Sequence, residues 1–346
     1  ALIWPDRPPL PTRPVVVQPL ESAGETVADK VTRIRRALRG VHADGMLVSA
    51  LDDIAWTLNL RGDDIPCNPV FIAYLLIDSR HVTLFTDGAH LDDRVRSYLA
   101  QENIGVRGYG DIDGALRDYF EYSILIDPQQ TNALLPTRVP RRTRIVYAPS
   151  PIPVMKAVKN AAEIAGFRAA MVRDGIAMVR FLRWLYPAVQ AGGVTELTVA
   201  HRLADLRAQY PEFRGVSFDT IAAYQEHGAI VHYEPTEATD MPLRPEGLLL
   251  LDSGAQYVDG TTDLTRTLAL GPVTDEQRRV YTLVLRSHIR LEMARFPRGA
   301  CGTQIDAIAR EPLWSHGYNF MHGTGHGVGS HLCVHEGPQQ IRMEYC

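Results

Sequence analysis

Apolar residues recur at helical spacing in several parts of the chain. Within residues 29–40, Val31, Ile34 and Leu38 are three and four positions apart, which predicts one face of a helix that ends at Gly40. The same periodicity predicts further helices over residues 161–186, 195–209, 275–296 and 303–317. Thr274 and Gln277 have the spacing of a capping box at the start of the third of these.

Short apolar or alternating runs typical of strands lie between the helical segments. In the first part of the chain they cover residues 45–50, 70–77, 81–85 and 123–127. Strands that alternate with helices predict an α/β domain. Residues 213–270 are mostly strand-like and lie between helices, so the second half is expected to be α+β, with helices flanking an antiparallel sheet. No glycine-rich loop follows the first strand, and this argues against a nucleotide site there.

The length of the chain and a cluster of prolines predict two domains. A chain of 346 residues exceeds the ~250–300 at which one hydrophobic core usually stops growing. Pro149, Pro151 and Pro153 interrupt regular structure before the long helical pattern. We therefore expect a first domain over residues 1–148, opening with a proline-rich linker, and a second over residues 149–346.

Composition and charge narrow the class of protein. Hydrophobic residues make up 45% and charged residues 22%, as in folded soluble proteins, and the formal charge is -4. This balance argues against nucleic acid or an anionic membrane as the main partner. No apolar run is long enough for a membrane helix. The four cysteines are too sparse for a disulfide framework, which favours a reducing, cytoplasmic compartment.

Two aspartates lie in strand-like sequence around a predicted turn. Asp252 follows the apolar run Leu248–Leu251, and the turn Val258-Asp259-Gly260 predicts a hairpin. Asp263 then falls on one face of the returning strand, so the two carboxylates can converge. A carboxylate next to a buried strand is costly to ionise unless a cation or several donors meet it. The hairpin alone leaves two interpretations open, a metal site and a purely structural turn.

A histidine cluster makes the metal interpretation more attractive. MHGTGHGVGSHLCVHEGP contains His322, His326, His331 and His335, and its glycines allow the backbone to approach a ligand closely. Two aspartates and one imidazole form a mostly oxygen donor set suited to Mn, Co, Fe or Zn. His331 is assigned to packing or to the surface.

A further histidine follows an apolar run. His232 comes after Ala229-Ile230-Val231 and is expected at the end of a buried strand, facing a cleft as a proton shuttle or substrate donor. His227 is expected to be exposed in the preceding turn. No GxSxG elbow or phosphate loop is present, so metal-activated water is the remaining hydrolytic chemistry.

These segments resemble the metallopeptidase family with the pita-bread fold, in particular the three-domain X-prolyl aminopeptidases. The resemblance rests on DSGAQYVDGTTDLTRT, GAIVHYEP and HGTGHGVG followed by VHEGP, and PVMKAVKN and LDDIAWTLNLRG extend it. It implies a creatinase-like α/β N-terminal domain and an α+β pita-bread catalytic domain. It also implies a cytoplasmic homodimer that removes the N-terminal residue from peptides with proline in second position.

The resemblance also assigns roles to single residues. Asp252, Asp263 and His326 match family positions that bind two divalent ions, usually manganese. His232, His322 and His335 match positions that line the substrate cleft. His335 and His232 are expected to donate hydrogen bonds during the reaction, and His322 is expected to form part of the wall that selects proline.

Two features of the family pattern are not found in the sequence. The long form has a further N-terminal domain, and the family takes two glutamate ligands from strands after VHEGP, so we expect a chain truncated at both ends, with the C-terminal part of the catalytic domain missing. Glu336 and Glu344 lie too early in the pattern, and Glu336 is expected to face away from its neighbour His335. By ligand count, the 346 residues alone are expected not to cleave Xaa-Pro peptides.

Two other functions remain open at this point. One is a prolidase- or creatinase-type hydrolase on the same fold, which a comparison of dipeptide and tripeptide substrates distinguishes. The other is a metal-free pita-bread module that only binds peptides or proteins.

Overall fold

The computed structural model describes Trp4 and residues 6–344. The chain forms two compact units. One contains residues up to Gly166 together with Ser330–Cys333, and the other contains Phe167–Gly329 and the residues from Val334 on. The predicted division at 148/149 stays a prediction. In the described part of the chain no helix is long and apolar enough to span a membrane.

The first unit combines a mixed sheet with short helices. Its helices are α1 (Leu20–Ala23), α2 (Val27–Gly40), α3 (Leu51–Thr57), α4 (Asp93–Gln101), α5 (Ile112–Arg117) and α6 (Ile152–Ala157). Its strands are β1 (Val16–Val17), β2 (Gly45–Val48), β3 (Leu60–Arg61), β4 (Ala73–Ile77), β5 (Val82–Thr86), β6 (Ile104–Arg107), β7 (Ser123–Ile126) and β8 (Arg144–Tyr147).

Six of these strands form one sheet in the order β6-β5-β4-β2-β7-β8. Strand β4 runs antiparallel to both neighbours, whereas β2 and β7 are parallel. Buried side chains such as Ile34 of α2 and Leu75 of β4 belong to one apolar core. The predicted α/β character of the first domain is therefore confirmed.

The second unit is built from long helices and antiparallel strands. Its helices are α7 (Ala161–Ala191, which begins in the first unit), α8 (Glu196–Arg207), α9 (Asp275–Glu292) and α10 (Gly302–Trp314). Its strands are β9 (Phe213–Val216), β10 (Ile221–Tyr224), β11 (Leu248–Ser253), β12 (Ala255–Tyr257), β13 (Gly260–Thr261), β14 (Leu264–Ala269), β15 (Gly325–Gly327) and β16 (Glu336–Ile341).

The strands of this unit form three small sheets, β10-β11-β14, β13-β12-β9 and β15-β16, all of them antiparallel. Leu249 and Leu251 of β11 point into a core that also contains Phe181 and Leu185 of α7. The alternation along β11 leaves Asp252 on the opposite face, half-buried, next in sequence to a fully buried leucine. The predicted α+β character is confirmed.

The ends of the helices largely follow the sequence signals. Thr274 and Gln277 form the predicted capping box of α9, each side chain bonding the backbone of the other. Helix α7 continues beyond the predicted end at residue 186 to Ala191, although Pro187 lies inside it. Val189 packs into the core of the unit, and this burial helps to offset the backbone hydrogen bond that the proline removes.

Candidate metal centre

Asp252 lies near the end of β11 and is anchored by the neighbouring strand. Its register partners are Ile221 on β10 and Thr265 on β14. The Thr265 hydroxyl donates a hydrogen bond of 2.7 Å to Asp252 Oδ1. Burial raises the pKa of the Asp252 carboxyl, the Thr265 bond opposes this shift, and the nearby charge of Asp263 adds to it. Asp252 is thus a half-buried acid next to a second acid, an arrangement that a cation would stabilise.

Asp263 lies one residue before β14, in the short connection from β13, and not on the returning strand as predicted. The preceding residue, Thr262, explains the interruption. The Ala255 amide donates to Thr262 Oγ1 at 3.0 Å, and the Ser217 hydroxyl donates to the Thr262 carbonyl at 2.8 Å. These contacts hold the backbone out of the regular ladder directly before Asp263.

His326 joins the aspartate hairpin to the glycine-rich segment. It lies in β15, and its Nε2 is 3.2 Å from Asp263 Oδ2. Its Nδ1 is 2.8 Å from the Gly327 carbonyl oxygen, which can only accept, so Nδ1 carries a proton. The hydrogen bond to Asp263 is the main reason why the pKa of His326 is raised. A metal ligated by Nε2 must displace the proton that this nitrogen holds in the ion pair.

Two more histidines extend the cluster. The His335 ring meets that of His326 edge-on, with the ring centroids 4.3 Å apart, and the His232 ring lies 6.3 Å from His335. The partial shielding of its ring from water, followed by the neighbouring His326, lowers the pKa of His335, although much of the side chain is accessible. His335 is exposed whereas the adjacent Glu336 is buried, in agreement with opposite faces for these two side chains.

Two expectations about the segment around His232 were wrong. His232 is exposed in a turn with φ 57°, and the apolar residues before it are also exposed instead of forming a buried strand. His227 is part-buried, because its Nδ1 lies 3.0 Å from both carboxylate oxygens of Glu196. The apolar run looks like a strand locally, but contacts made far along the chain decide its structure.

The other two histidines of the glycine-rich segment, His331 and His322, are placed differently from His326 and His335. His331 is buried, with its Nδ1 2.9 Å from Gln18 Oε1, so its assignment to packing is confirmed. His322 is exposed, and its ring lies 4.8 Å from that of Phe320. Among the described residues, no hydrogen bond, ion pair or ring contact joins His322 to the other histidines of the cluster or to the aspartates. Its predicted role in substrate binding stays a prediction.

The structure therefore brings five of the six predicted site residues together. Asp263 Oδ2 and His326 Nε2, the two atoms that would bind a shared ion, face each other directly. Asp252 is close enough for the charge of Asp263 to affect its pKa. Within the described residues, no group of three or more His, Cys, Asp or Glu side chains is arranged to hold a metal ion. The carboxylate oxygens and the imidazole nitrogen suit a divalent cation. Asp252, Asp263 and His326 are, however, not arranged as a complete three-ligand site.

A buried ion pair, which the sequence analysis missed, supports the hairpin. Arg207 of α8 donates to both carboxylate oxygens of Asp174 of α7, at 2.7 and 2.9 Å, and both side chains are fully buried. Arg207 Nη2 also donates to the Ser253 hydroxyl at 3.1 Å. Ser253 follows Asp252 directly, so the pair fixes the strand end that carries this acid. No local pattern in the sequence indicates a pairing over this distance.

A second buried pair, also missed, holds the glycine-rich segment. Asp306 and Arg310 of α10 are four residues apart and form an ion pair. The Thr324 hydroxyl donates to Asp306 at 2.5 Å, and Arg310 Nη2 donates to the His322 carbonyl at 2.9 Å. The i, i+4 spacing of opposite charges was a signal that could have indicated this contact.

Comparison with known proteins places the chain in a family. Residues 165–345, just over half of the chain, match the family described as metallopeptidase family M24, and residues 6–163 match the creatinase/prolidase N-terminal domain. The chain belongs to metallopeptidase family M24. It is 41% identical over 354 residues to a probable Xaa-Pro aminopeptidase P of Fusarium vanettenii, covering 97% of this chain and 57% of that protein.

Solved structures show the same likeness. An X-prolyl aminopeptidase from Caenorhabditis elegans, described as a cytosolic enzyme with a di-nuclear active site, matches with a TM-score of 0.92 and 36% identity. This match covers 99% of the present chain and 57% of the other. An Xaa-Pro dipeptidase from Bacillus anthracis matches with a TM-score of 0.74 and 21% identity, which shows a shared fold alone. The chain thus spans little more than half the length of the aminopeptidases that it matches.

Proposed function

We propose that the protein is a metal-dependent aminopeptidase that releases the N-terminal residue from peptides with proline in second position. The observation that carries the proposal is the pairing of His326 with Asp263 at 3.2 Å, with His335 edge-on beside it. The 41% and 36% identities to proteins named Xaa-Pro or X-prolyl aminopeptidases favour this reaction over other M24 chemistry.

Asp252, Asp263 and His326 would hold the metal, as part of a site for two divalent ions, with manganese as our choice. When bound, such ions activate water and polarise the scissile carbonyl. The hydrogen bond from His326 Nδ1 to Gly327 fixes the ring so that Nε2 faces Asp263 Oδ2, and these two atoms would both bind the metal. Burial and, to a smaller extent, the like charge of Asp263 raise the pKa of Asp252, and a bound cation would offset both effects.

His335 and His232 would act on the substrate. The lowered pKa of His335 keeps its ring neutral at pH 7, and a neutral imidazole still has one N–H to donate to the developing oxyanion. His232, on an exposed turn 6.3 Å from His335 between ring centroids, would donate to the leaving proline nitrogen. His322 would form part of the wall next to the proline. We further propose a cytosolic homodimer, in line with the cytosolic C. elegans protein.

The test is hydrolysis of Ala-Pro-Ala, Ala-Pro and Ala-Ala-Ala with added Mn²⁺ or with a chelator. It uses the 346 residues alone and any longer chain that contains them. We expect the longer chain to cleave Ala-Pro-Ala when metal is present and to leave the other two peptides intact. The 346 residues alone should be inactive, because the described residues do not form a complete metal site. Cleavage of Ala-Pro alone would instead identify a prolidase. A metal-loaded longer chain that leaves Ala-Pro-Ala intact would contradict the proposal.

A further inference from the structure

The turn that carries His232 belongs to a loop without strands. Between β10 and the backbone bridge from Pro242 to Thr195, the chain forms a short 3₁₀ segment, Gln225–Ala229, followed by turns. Its tip is exposed, with 54% of Ile230 and 53% of Val231 accessible. His232 adopts a positive φ in this loop, and because the loop contains no strand, contacts other than sheet pairing must hold the residue in place.

One buried carboxylate bonds this loop at its beginning, its middle and its end. Glu196, the first residue of α8, is fully buried. The Tyr224 amide donates to Glu196 Oε1 at 2.7 Å, and the Met241 amide donates to Oε2 at 3.2 Å. Between these ends, His227 Nδ1 lies 3.0 Å from both oxygens, and the Tyr233 hydroxyl donates to Oε2 at 2.8 Å.

The Glu196 carboxylate binds the loop and not the helix in which Glu196 lies. An acid in the first turn of a helix usually stabilises the free amides of that turn. Here both oxygens instead accept from donors of the loop, which come from four different residues. The ring of Tyr233 also packs against that of His227, with centroids 4.4 Å apart. Tyr233 directly follows His232, so its position determines that of the catalytic candidate.

We propose that Glu196 is a positioning residue, which clasps the loop 225–241 through His227 and Tyr233 and thereby holds His232 beside His335. The inference rests on the proposed function only for the role of His232. The clasp itself consists of contacts that the buried Glu196 makes with the buried Tyr233 and the part-buried His227. A displacement of a substrate-facing group by about 1 Å can cost on the order of 10²-fold in rate.

The first test is a double-mutant cycle on kcat/KM for Ala-Pro-Ala, in the longest active form of the protein. Tyr233→Phe removes a hydroxyl that donates to Glu196 and also contacts Thr239 of the same loop, but it keeps the ring, and we expect a loss of about 10- to 100-fold. In a His232→Ala background, the same change should have no further effect, because the residue that it positions is gone. The control is Tyr119→Phe in the first unit, whose hydroxyl donates to the Ser123 carbonyl at 3.1 Å and whose loss should leave kcat/KM unchanged. Equal losses from Tyr233→Phe in both backgrounds would overturn the proposal.

The second test does not depend on activity. Glu196→Gln keeps the size of the side chain but directs an NH₂ group towards donors, so amide exchange within residues 225–241 should quicken by roughly tenfold or more while that of helix α9 stays unchanged. Unchanged exchange in the loop would overturn the clasp. If no Xaa-Pro peptide is cleaved at all, the proposed function fails, and the exchange measurement alone decides this inference.

Discussion

His326 Nε2 and Asp263 Oδ2 lie 3.2 Å apart, although they are separated by 63 positions in the sequence. The contact joins the aspartate hairpin to the glycine-rich histidine segment, the two patterns that the sequence singles out. It gives both a common explanation, because a carboxylate oxygen and an imidazole nitrogen at this distance are suited to bind one cation between them.

The protonation of the two facing histidines provides a first prediction. The pKa of His326 is raised from 6.5, mainly by the hydrogen bond to Asp263, and that of His335 is lowered from 6.5, mainly by burial. In an NMR titration of the metal-free protein, His326 should therefore titrate above pH 6.5 and His335 below it. Asp263→Asn should move the His326 midpoint down. Equal midpoints for His326 and His335 that do not change in Asp263→Asn would contradict the assignment.

The raised pKa of His326 also fixes how metal affinity depends on pH. Below that pKa the ring is protonated, and a cation must displace the proton from Nε2. The apparent affinity for Mn²⁺ should thus increase as the pH rises through the His326 midpoint and then level off. Calorimetric titrations at several pH values measure this, and an affinity that falls over the same range would exclude His326 as a ligand.

Metal binding should stabilise the second unit. At a metal concentration of 100 times the Kd, the gain is about 2.7 kcal/mol, or an increase of roughly 5–10 °C in Tm for a unit of this size. Asp252→Asn should abolish this increase without lowering the metal-free Tm, because a carboxyl whose pKa is raised by burial destabilises the fold when it is ionised without a cation. Asp259→Asn in the same hairpin is the control, since Asp259 pairs with Arg173. It should retain the metal-induced increase.

The buried pair beneath the hairpin should be critical for stability. Asp174→Asn leaves Arg207 as an unpaired buried charge, and breaking such a pair costs about 3–5 kcal/mol. Asp275→Asn removes a fully exposed partner of Arg278 and should leave the stability almost unchanged. Chemical denaturation of the two variants measures the difference. Similar stabilities would show that the Asp174–Arg207 pair does not hold the hairpin.

His335 should affect the reaction far more than the binding of metal. If it stabilises the oxyanion, His335→Ala should lower kcat by about 10²–10³ with an unchanged Mn²⁺ affinity. Kinetics and calorimetry on the same preparation separate these effects. A folded variant that has lost its metal would identify His335 as a ligand.

Local patterns account for what the sequence predicted well. The hairpin is marked by four leucines and a turn triplet, and the glycine-rich segment by its histidines, so the pairing of Asp263 with His326 could be expected. Both features lie within short stretches whose residue types mark them in the sequence. The sequence did not reveal the contacts that these stretches make with residues far away along the chain.

Contacts between distant segments account for the errors. The residues before His232 form an apolar run that resembles a strand, but Glu196 holds this loop by bonds that reach back 28 to 45 positions. Asp263 falls one residue short of β14 because Ser217 bonds the Thr262 carbonyl. In both cases a side chain from another element overrides the local preference of the backbone.

Anomalous diffraction at the manganese edge, from crystals of the protein soaked in Mn²⁺, tests most directly whether Asp263 and His326 bind one ion. We expect a peak roughly 2.0–2.3 Å from both Asp263 Oδ2 and His326 Nε2, with Asp252 ligating the same ion or a second one next to it. An ordered structure in which manganese binds elsewhere, or in which His326 points away from both aspartates, would contradict it.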